Sequence, residues 1–389
     1  MPLQKFIKKE IKHMNTRERV LNILHYKDVD RMPALHFGYW HDLLAEWAAQ
    51  GYIPEELSKG WDDNNAVDRA LDKIIGWDFE YRNVTRPYHC NDSIYPEFPV
   101  KVIEELPGGY QIIQNKSGSF QKIRAGVTSI PQDIGTQLKD RESFETLYRP
   151  RMQFDPGRID YDYFRNYNKN VYEKSDVPQG LALGSVYGTI RNIVSVIGMS
   201  DLMYDDDENL FADIIDTFAE MQYQCVEEIL KTGAKFDFGH YWEDIAYKNG
   251  AMFSPVTFRE IAGKHYKKRN ELCLKYGIDI ISLDCDGVTD QLLPVWIDNG
   301  VNVMFPIEIG TWGDQFEAAR KKYGKQILGI GGVDKEVFRH DKKTVDAELE
   351  RVKRLASFGG FIPCPDHRLL PGSKFELVTY YAEQIKTIL

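Results

Sequence analysis

The sequence predicts an α/β protein built on a (β/α)8 TIM barrel with N-terminal helices and an inserted β-hairpin layer. From Gly180 onward, short apolar runs alternate with helical patterns, which is typical of parallel strands joined by crossover helices. No GxGxxG motif follows a run, and the near match GIGG at Gly329–Gly332 lacks the last glycine of the motif. With 389 residues, 43% of them hydrophobic, the chain can bury a large core. A barrel is therefore favoured over an open dinucleotide-binding sheet.

The N-terminal part divides into an extension and the start of the domain. Residues 1–13 are rich in lysine and precede a second methionine, so we interpret them as an extension. Residues 14–389 are predicted to form a single domain. Asn15 and Glu18 stand at capping positions, which predicts a helix that runs to about Tyr26.

The next stretch predicts the first barrel strand and the insertion. Pro33–Phe37 is a short apolar run, and an aromatic amphipathic helix follows it and ends at Gly51. From about 78 to 127 polar and apolar residues alternate, with turn residues around Gly108 and Gly118. This stretch is predicted to be an inserted layer of antiparallel strands.

The second half supplies the repeated strand and helix units. The apolar runs are GLALGS, KFDFGH, IDIISLD, VNVMFP, QILGIGG and GFIPC. Helices are predicted to begin near Asp206, Pro255, Thr289, Trp312 and Lys335, and after Lys374. Together with the Pro33–Phe37 strand and at least one more upstream, the strand count approaches the eight of a closed barrel.

Charge and cysteine content limit the function. The net charge of −10 opposes binding to nucleic acids and anionic membranes, and favours a small-molecule partner. The sequence has neither an apolar run of about 18 residues nor a secretory leader. Five cysteines without CxxC spacing indicate a reducing compartment. A soluble cytoplasmic protein is predicted.

The strand ends predict a metal site. Asp284 and Asp286 lie two apart on an extended segment, so their carboxylates project to one side and Cys285 projects to the other. Such close carboxylates repel unless a cation or a proton lies between them. With His367 they would form a three-ligand site for zinc or another divalent ion, with an open position. The alternatives are an Asp-Gly turn in which Asp286 caps the next helix, and a loop hydrogen bond for His367.

Other polar and aromatic residues after the strands are candidates for catalysis and binding. Glu243 is a predicted acid or base, because burial against the aromatic residues around it would raise a carboxyl pKa. Glu308, at the end of another strand, would be a second acid or base or would hold the substrate. Glu243 or Asp244 would also serve as a further metal ligand, or Asp244 would only cap a surface turn. For the aromatic residues after the first strand, core packing is the alternative. The predicted substrate-binding residues are His36, Tyr39, Tyr187, His240 and Asp244.

Several long motifs carry a family resemblance. They are MNTRERVLNILHYKDVDRMP, WEDIAYKNGAMFSP, LDCDGVTDQLLPVWIDNGVNVMFPIE, GGVDKEVFRHDKKTVDAELERV and GGFIPCPDHRLLPGSKFE. In these motifs the chain resembles the uroporphyrinogen decarboxylase superfamily, whose tetrapyrrole decarboxylases and corrinoid-dependent methyltransferases are (β/α)8 barrels. The decarboxylases bind substrate carboxylates with an arginine-rich segment after the first strand. Here that segment, ALHFGYWHDLLAEW, contains no arginine, which disfavours a highly carboxylated substrate.

The resemblance to the zinc methyltransferase branch points to the same three residues. In that branch a His-x-Cys-Gly strand end and a later cysteine hold zinc, and the matching positions here are Asp284, Asp286 and His367. Oxygen ligands suit a metal that polarises an oxygen rather than a thiol.

The resemblance therefore implies a metal-dependent methyltransferase of O-demethylase type. Such an enzyme moves a methyl group from a small methoxylated substrate to a corrinoid (cobalamin). The corrinoid is carried by a partner protein, because the chain has no recognisable cobalamin-binding segment. A homodimer is implied as well. The alternatives are a decarboxylase without metal and a non-catalytic protein that binds a tetrapyrrole or corrinoid.

Overall fold

The structure is a computed structural model that describes residues 13–81, 89–124, 131–204, 207, 209–310 and 315–389. The chain forms two compact units, each assembled from separate stretches. The first unit comprises Met1–Asn83, Ser175–Pro178 and Pro306–Leu389, and the second comprises Val84–Lys174 and Gln179–Phe305.

The elements are numbered here in chain order. The helices are α1 Thr16–Leu24, α2 His41–Ala49, α3 Glu55–Gly60, α4 Ala66–Ile75, α5 Arg141–Ser143, α6 Tyr161–Asn170, α7 Gly188–Met203, α8 Leu210–Lys231, α9 Pro255–Lys275, α10 Leu293–Asp298, α11 Gln315–Tyr323, α12 Lys342–Ala356 and α13 Phe375–Gln384. Short 3₁₀ or π turns cover Phe144–Tyr148, Arg149–Met152, Pro156–Arg158, Tyr172–Lys174, Gly324–Gln326, Lys335–Arg339 and Ile385–Thr387. Within the described part of the chain, none of the helices is both long enough and apolar enough to cross a membrane.

The strands form parallel and antiparallel sheets. They are β1 Leu35–His36, β2 Phe79–Glu80, β3 Lys101–Leu106, β4 Tyr110–Gln114, β5 Ser119–Arg124, β6 Gln132–Thr136, β7 Gly180–Gly184, β8 Phe238–Trp242, β9 Ala246–Tyr247, β10 Gly250–Ala251, β11 Ile281–Asp284, β12 Val303–Ile307, β13 Leu328–Val333 and β14 Phe361–Pro365.

Parallel strands are present in both units: the second contains neighbours in the order β12-β11-β8-β7, and the first contains the pair β14-β13. In the second unit, Ser282 to Asp284 of β11 pair with Val303 to Phe305 of β12. The division between the units falls inside β12, after Phe305, and in the first unit β13 pairs in parallel with β14. The predicted mixed α/β class with parallel strands is confirmed, whereas closure of a barrel stays a prediction.

The first unit also contains a short parallel pair. Leu35 and His36 of β1 pair with Phe79 and Glu80 of β2. Just after β1, Tyr39 forms an isolated parallel bridge to Leu369, which follows β14. The predicted first strand is therefore present, although it is shorter than the run Pro33–Phe37.

The inserted layer in the second unit is a four-stranded antiparallel sheet in the order β3-β4-β5-β6. Its turns contain Gly108 and Gly118, both with positive φ, as the sequence predicts. The sheet continues to Thr136, beyond the predicted limit of about 127, because β6 is a further strand. Strand β6 has the sequence QDIGT, which lacks the apolar alternation of its neighbours.

The predicted helix starts agree with the structure at some positions and differ at others. Helix α1 begins with a capping box in which Asn15 and Glu18 exchange hydrogen bonds, and α9 begins at Pro255 as predicted. The helix expected near Thr289 begins only at Leu293. Helix α7 was not predicted. The predicted starts near Asp206 and Trp312 lie outside the described residues.

Each unit has its own core. Large side chains that are fully buried include Trp47, Tyr148, Tyr241, Tyr266 and Trp296. The interior faces of β8 and β11 are also buried, so polar groups on them must find partners inside the protein. This requirement shapes the candidate site at the ends of those strands.

Candidate functional site

Three carboxylates lie together at the C-terminal end of β11. One oxygen each of Asp244, Asp284 and Asp286 lies within 4.8 Å of the others. Asp284 is buried, while the other two are half-buried. The structure thus brings Asp284 and Asp286 together as predicted and adds Asp244 to them. We call these three residues the carboxylate group.

The loops that carry the carboxylate group are joined by hydrogen bonds. The backbone N–H of Glu243 donates to the carbonyl of Asp284 over 2.8 Å, and the N–H of Asp286 donates to Oδ1 of Asp244 over 3.2 Å. Further along, the N–H of Val288 donates to the carbonyl of Tyr247 over 3.1 Å. These hydrogen bonds fix the two loops, and therefore their carboxylates, relative to each other.

Gly287 allows this close approach. Its φ is +91°, and a Cβ at this position would lie 2.9 Å from the carbonyl carbon of Ala246 and from the backbone nitrogen of Tyr247. Any side chain would therefore combine a disfavoured backbone conformation with a clash against backbone atoms. Asp244, in the facing loop, also has a positive φ, of 47°.

Cys285, between the two aspartates, is not a metal ligand in this arrangement. Burial, and then the negative charge of Asp244, raise the pKa of the thiol well above its usual value. Its Sγ accepts a hydrogen bond from the N–H of Ile245 over 3.4 Å. Because Sγ is bonded to the facing loop and lies outside the group of three carboxylate oxygens, oxygen atoms are the donors of this loop.

The donor set fits a hard divalent cation. Three carboxylate oxygens so close together repel one another unless a cation or protons neutralise them. Oxygen-only sites suit ions such as Mg²⁺ or Mn²⁺, and carboxylates also bind Zn²⁺. The carboxylate group can therefore hold the cation that the sequence predicts.

Glu243 is completely buried and has a different role from the predicted one. Its carboxylate accepts hydrogen bonds from the backbone N–H groups of Val186, Tyr187 and Gly188 at 2.7 to 3.0 Å. The hydroxyls of Ser185 and Tyr266 also donate to it. With its oxygens occupied in this way, Glu243 fixes the start of α7 and has no access to a substrate proton. We correct its assignment from acid or base to positioning residue.

Gly188 makes this cradle possible. A Cβ on Gly188 would overlap the carbonyl oxygen of Glu243. The backbone at the start of α7 therefore packs directly on the segment that follows β8. Negative charge at a helix N-terminus is favourable, since the free N–H groups and the helix dipole both attract it.

Two pairs of neighbouring residues on β8 and β11 lie next to the carboxylate group. Asp284 is the register partner of Trp242, and Ser282 is the register partner of His240. Nδ1 of His240 lies 2.6 Å from the hydroxyl of Ser282. His240 is 6% exposed, so it lies beneath the Trp242 and Asp284 layer rather than at the surface.

Tyr187, predicted to bind substrate, is buried in an aromatic cluster. Its ring stacks on Phe253 with 4.1 Å between centroids and meets Phe211 and Phe258 edge-on. Burial, and then the charge of Glu243, raise its pKa. Tyr187 therefore packs among aromatic side chains next to the candidate site.

In the first unit, His36 and Tyr39 are core residues. His36 is fully buried, and its Nε2 lies 2.8 Å from Asp72 and 4.0 Å from Asp68. The N–H of Gly38 donates to its Nδ1 over 3.0 Å, which places the proton of the neutral ring on Nε2. Metal binding at Nε2 would need the ring proton on Nδ1, where the N–H of Gly38 already donates, so this hydrogen bond opposes a metal at Nε2 although Asp68 and Asp72 lie close by. Tyr39 packs between Trp47 and Trp61.

Glu308 lies beside a lysine in the first unit. Its carboxylate is 3.8 Å from Nζ of Lys335, and that Nζ is 3.3 Å from Asp366. Asp366 is fully buried and accepts hydrogen bonds from the N–H groups of Ile309 and Gly310. Lys335 was not predicted as a partner, because the charge pairing depends on how the ends of β12, β13 and β14 are placed side by side.

His367 is half-buried in the first unit. Its ring stacks on Phe37 and Trp40, with centroid distances of 4.9 and 6.3 Å. The neighbouring Arg368 pairs with Asp63 through both terminal nitrogens. Ligation of a metal by His367 stays a prediction from the sequence.

Comparisons with known proteins show the fold. No protein-family model matches the chain, and no curated protein matches it in sequence. A methyltransferase from Methanosarcina mazei has a similar structure, with a TM-score of 0.57 and 14% sequence identity, over 96% of this chain and 99% of that chain. A B12-independent methionine synthase from Shewanella sp. W3-18-1 in complex with selenomethionine gives a TM-score of 0.45 at 12% identity, over 92% and 98% of the chains. The chain therefore shares the fold of the Methanosarcina methyltransferase over almost its whole length.

Proposed function

We propose that the protein is a metal-dependent methyltransferase of O-demethylase type. It would move a methyl group from a small methoxylated substrate to a corrinoid carried by a partner protein. The observation that carries this proposal is the carboxylate group at the strand ends, in a chain that shares its fold with a methyltransferase. The corrinoid acceptor and the methoxylated donor rest on the resemblance and on the oxygen-rich ligand set.

The residues of the site have separate tasks in this proposal. Asp244, Asp284 and Asp286 hold a divalent cation, with His367 as the further ligand that the sequence predicts. When bound, the cation supplies a Lewis acid for the oxygen that loses its methyl group. Glu243 holds the start of α7 and, through its backbone, the end of β11, so the three carboxylates keep their spacing. Glu308 beside Lys335 stays the candidate acid or base.

The first experiment measures the metal. Purified protein is equilibrated separately with Mn²⁺ and Zn²⁺, and the bound ion is counted by elemental analysis after dialysis. We expect binding by the wild-type chain and its loss in the double variant Asp284→Asn/Asp286→Asn. Asp298→Asn is the matched control, because Asp298 is an exposed aspartate of the same unit that pairs with Arg259.

The second experiment measures methyl transfer. Methoxylated compounds are incubated with metal-loaded protein and reduced cobalamin, whose absorption changes when it is methylated. Transfer should require both carboxylates at 284 and 286. A wild-type chain that stays metal-free after reconstitution would contradict the proposal. Release of carbon dioxide from uroporphyrinogen at a useful rate would favour the decarboxylase alternative instead.

A further inference from the structure

Arg191, in the first turn of α7, is a half-buried cation that has no anionic partner among the residues that the structure describes. Its Nε is buried and makes no hydrogen bond to any residue that the structure describes. Across the described ranges it also forms no ion pair, and its recorded side-chain contact is with the ring of Trp242, 5.8 Å from the guanidinium carbon. Partly burying a guanidinium without an anion costs free energy.

Two other buried arginines of the second unit donate hydrogen bonds from their guanidinium groups to backbone carbonyls. Arg158 donates to the carbonyls of Asn91, Ser93 and Arg151. Arg269 is completely buried and donates to the carbonyls of two other residues. Arg191 differs from both, since its fork of donors remains available beside the indole.

The position of Arg191 is fixed by the same contacts that shape the site. The carboxylate of Glu243 holds the backbone of Tyr187 and Gly188, and the N–H of Arg191 donates to the carbonyl of Tyr187 over 3.0 Å. Glu243 directly follows Trp242 in the chain. The backbone of Arg191 is therefore tied to the residue that follows Trp242, and its guanidinium lies over the Trp242 ring.

Arg191 also lies on the same edge of the sheet as the carboxylate group. Helix α7 follows the C-terminal end of β7, and β7, β8 and β11 are parallel. Trp242 is the register partner of Asp284, and adjacent strands lie about 4.8 Å apart. Trp242 thus has the guanidinium of Arg191 over its ring, while its register partner Asp284 belongs to the carboxylate group.

From this arrangement we propose that Arg191 and Trp242 form an anion-binding subsite that takes one carboxylate of the methyl donor. This inference rests on the proposed function. A guanidinium binds a carboxylate through two parallel hydrogen bonds, and one arginine matches one such group. The donor is then a small monoanion whose methoxyl oxygen reaches the carboxylate group while its carboxylate rests on Arg191. Trp242 lies along the middle of the molecule.

The experiment compares ligands that differ in charge. Binding of 4-methoxybenzoate and 4-methoxybenzamide to the full chain is measured by calorimetry, and so is binding of benzoate and benzamide, which carry no methyl ether. We expect each acid to bind about 10- to 100-fold more tightly than its amide, as a charge-assisted hydrogen bond provides. Arg191→Met should bring both ratios close to one. Arg191→Lys should retain part of the preference.

Arg259→Met is the matched control, because Arg259 is an exposed arginine of the same unit and pairs only with Asp298 among the residues described. Equal binding of acids and amides by the wild-type chain would overturn the subsite without reference to any variant. Demethylation of the acid and the amide at equal rates would overturn it while leaving the proposed function intact. An Arg191-dependent preference for benzoate, without methyl transfer from any donor, would support the subsite and count against the proposed function.

Discussion

The backbone N–H of Glu243 donates a hydrogen bond to the carbonyl oxygen of Asp284 over 2.8 Å. This bond joins the residue after β8 to the last residue of β11. The side chain of Glu243 holds the start of α7 at the same time. One residue therefore determines the relative positions of a carboxylate that is a candidate ligand and a helix that carries a free arginine.

Replacing Glu243 with glutamine should destabilise the protein strongly. The amide keeps one acceptor but turns an NH₂ group toward backbone N–H donors, so buried donors lose their partners. We expect the free energy of unfolding to fall by about 3 kcal/mol, the upper range for hydrogen bonds to charged groups. Urea unfolding measures this, with Glu271→Gln on α9 as an exposed control of the same unit. A loss below about 1 kcal/mol would show that the cradle is not needed for stability.

Gly287→Ala should weaken cation binding. The new Cβ would press on the backbone of Ala246 and Tyr247 and separate the loops that carry the carboxylates. Gly277→Ala is the matched control, because Gly277 also has a positive φ, of +83°, but a Cβ there meets nothing within 4 Å. Both variants carry the backbone cost of about 1 kcal/mol. Only Gly287→Ala should also lose affinity for Mn²⁺ in a titration, and equal affinities in the two variants would contradict this.

Asp244→Asn should lower the affinity for Mn²⁺ by at least about 100-fold. Changes to residues that merely surround metal ligands already cost about 10- to 100-fold, and Asp244 lies within the carboxylate group itself. The same titration on His367→Gln tests the ligand that the sequence predicts. Unchanged affinity in Asp244→Asn would remove Asp244 from the site.

The ion pair between Asp30 and Arg19 should make stability depend on pH. Hydrogen bonds from Arg19, at 2.7 and 2.8 Å, lower the pKa of Asp30 although partial burial opposes the change. An aspartate with a depressed folded pKa contributes stability above its unfolded value of about 3.9, and the contribution is lost as the pH falls toward the folded value.

The corresponding variant is Asp30→Asn. At pH 6 it should be less stable than the wild type by about 2 kcal/mol. The difference should shrink steadily as the pH drops below about 4. Urea unfolding across this range measures it, with the exposed Asp28→Asn as control. A difference that does not change with pH would disprove the assignment.

The parts of the fold that depend on local pattern were predictable. The capping residues of α1, the turns of the inserted layer and the apolar runs of the parallel strands are set by neighbours in the sequence. Helix α7 was missed because its sequence, GTIRNIVSVIGMS, mixes β-branched residues with glycine and serine, which disfavour helix. Its start depends on the distant carboxylate of Glu243.

The sequence predicts which strand ends carry the candidate site, but not which side chains and backbone groups contact one another there. Asp284 and Asp286 could be recognised because the alternation along a strand places them together. The roles of Glu243 and Arg191 depend on which groups surround them in space. The sequence shows a carboxylate and an arginine, but not that five donors surround the carboxylate and that the arginine has no anionic partner in the described part of the chain.

The division of the first unit into three stretches has a consequence for synthesis on the ribosome. The second unit is complete once Phe305 has emerged, whereas the first lacks everything from Pro306 onward at that moment. Tyr39, just after β1, must then wait for its bridge partner Leu369, which is translated near the end. The N-terminal stretch can pair β1 with β2 early, but it lacks its partners from Pro306 onward during most of translation, when exposed apolar surface attracts chaperones and promotes aggregation. Production of this protein should respond to chaperone levels and to the speed of translation after Phe305.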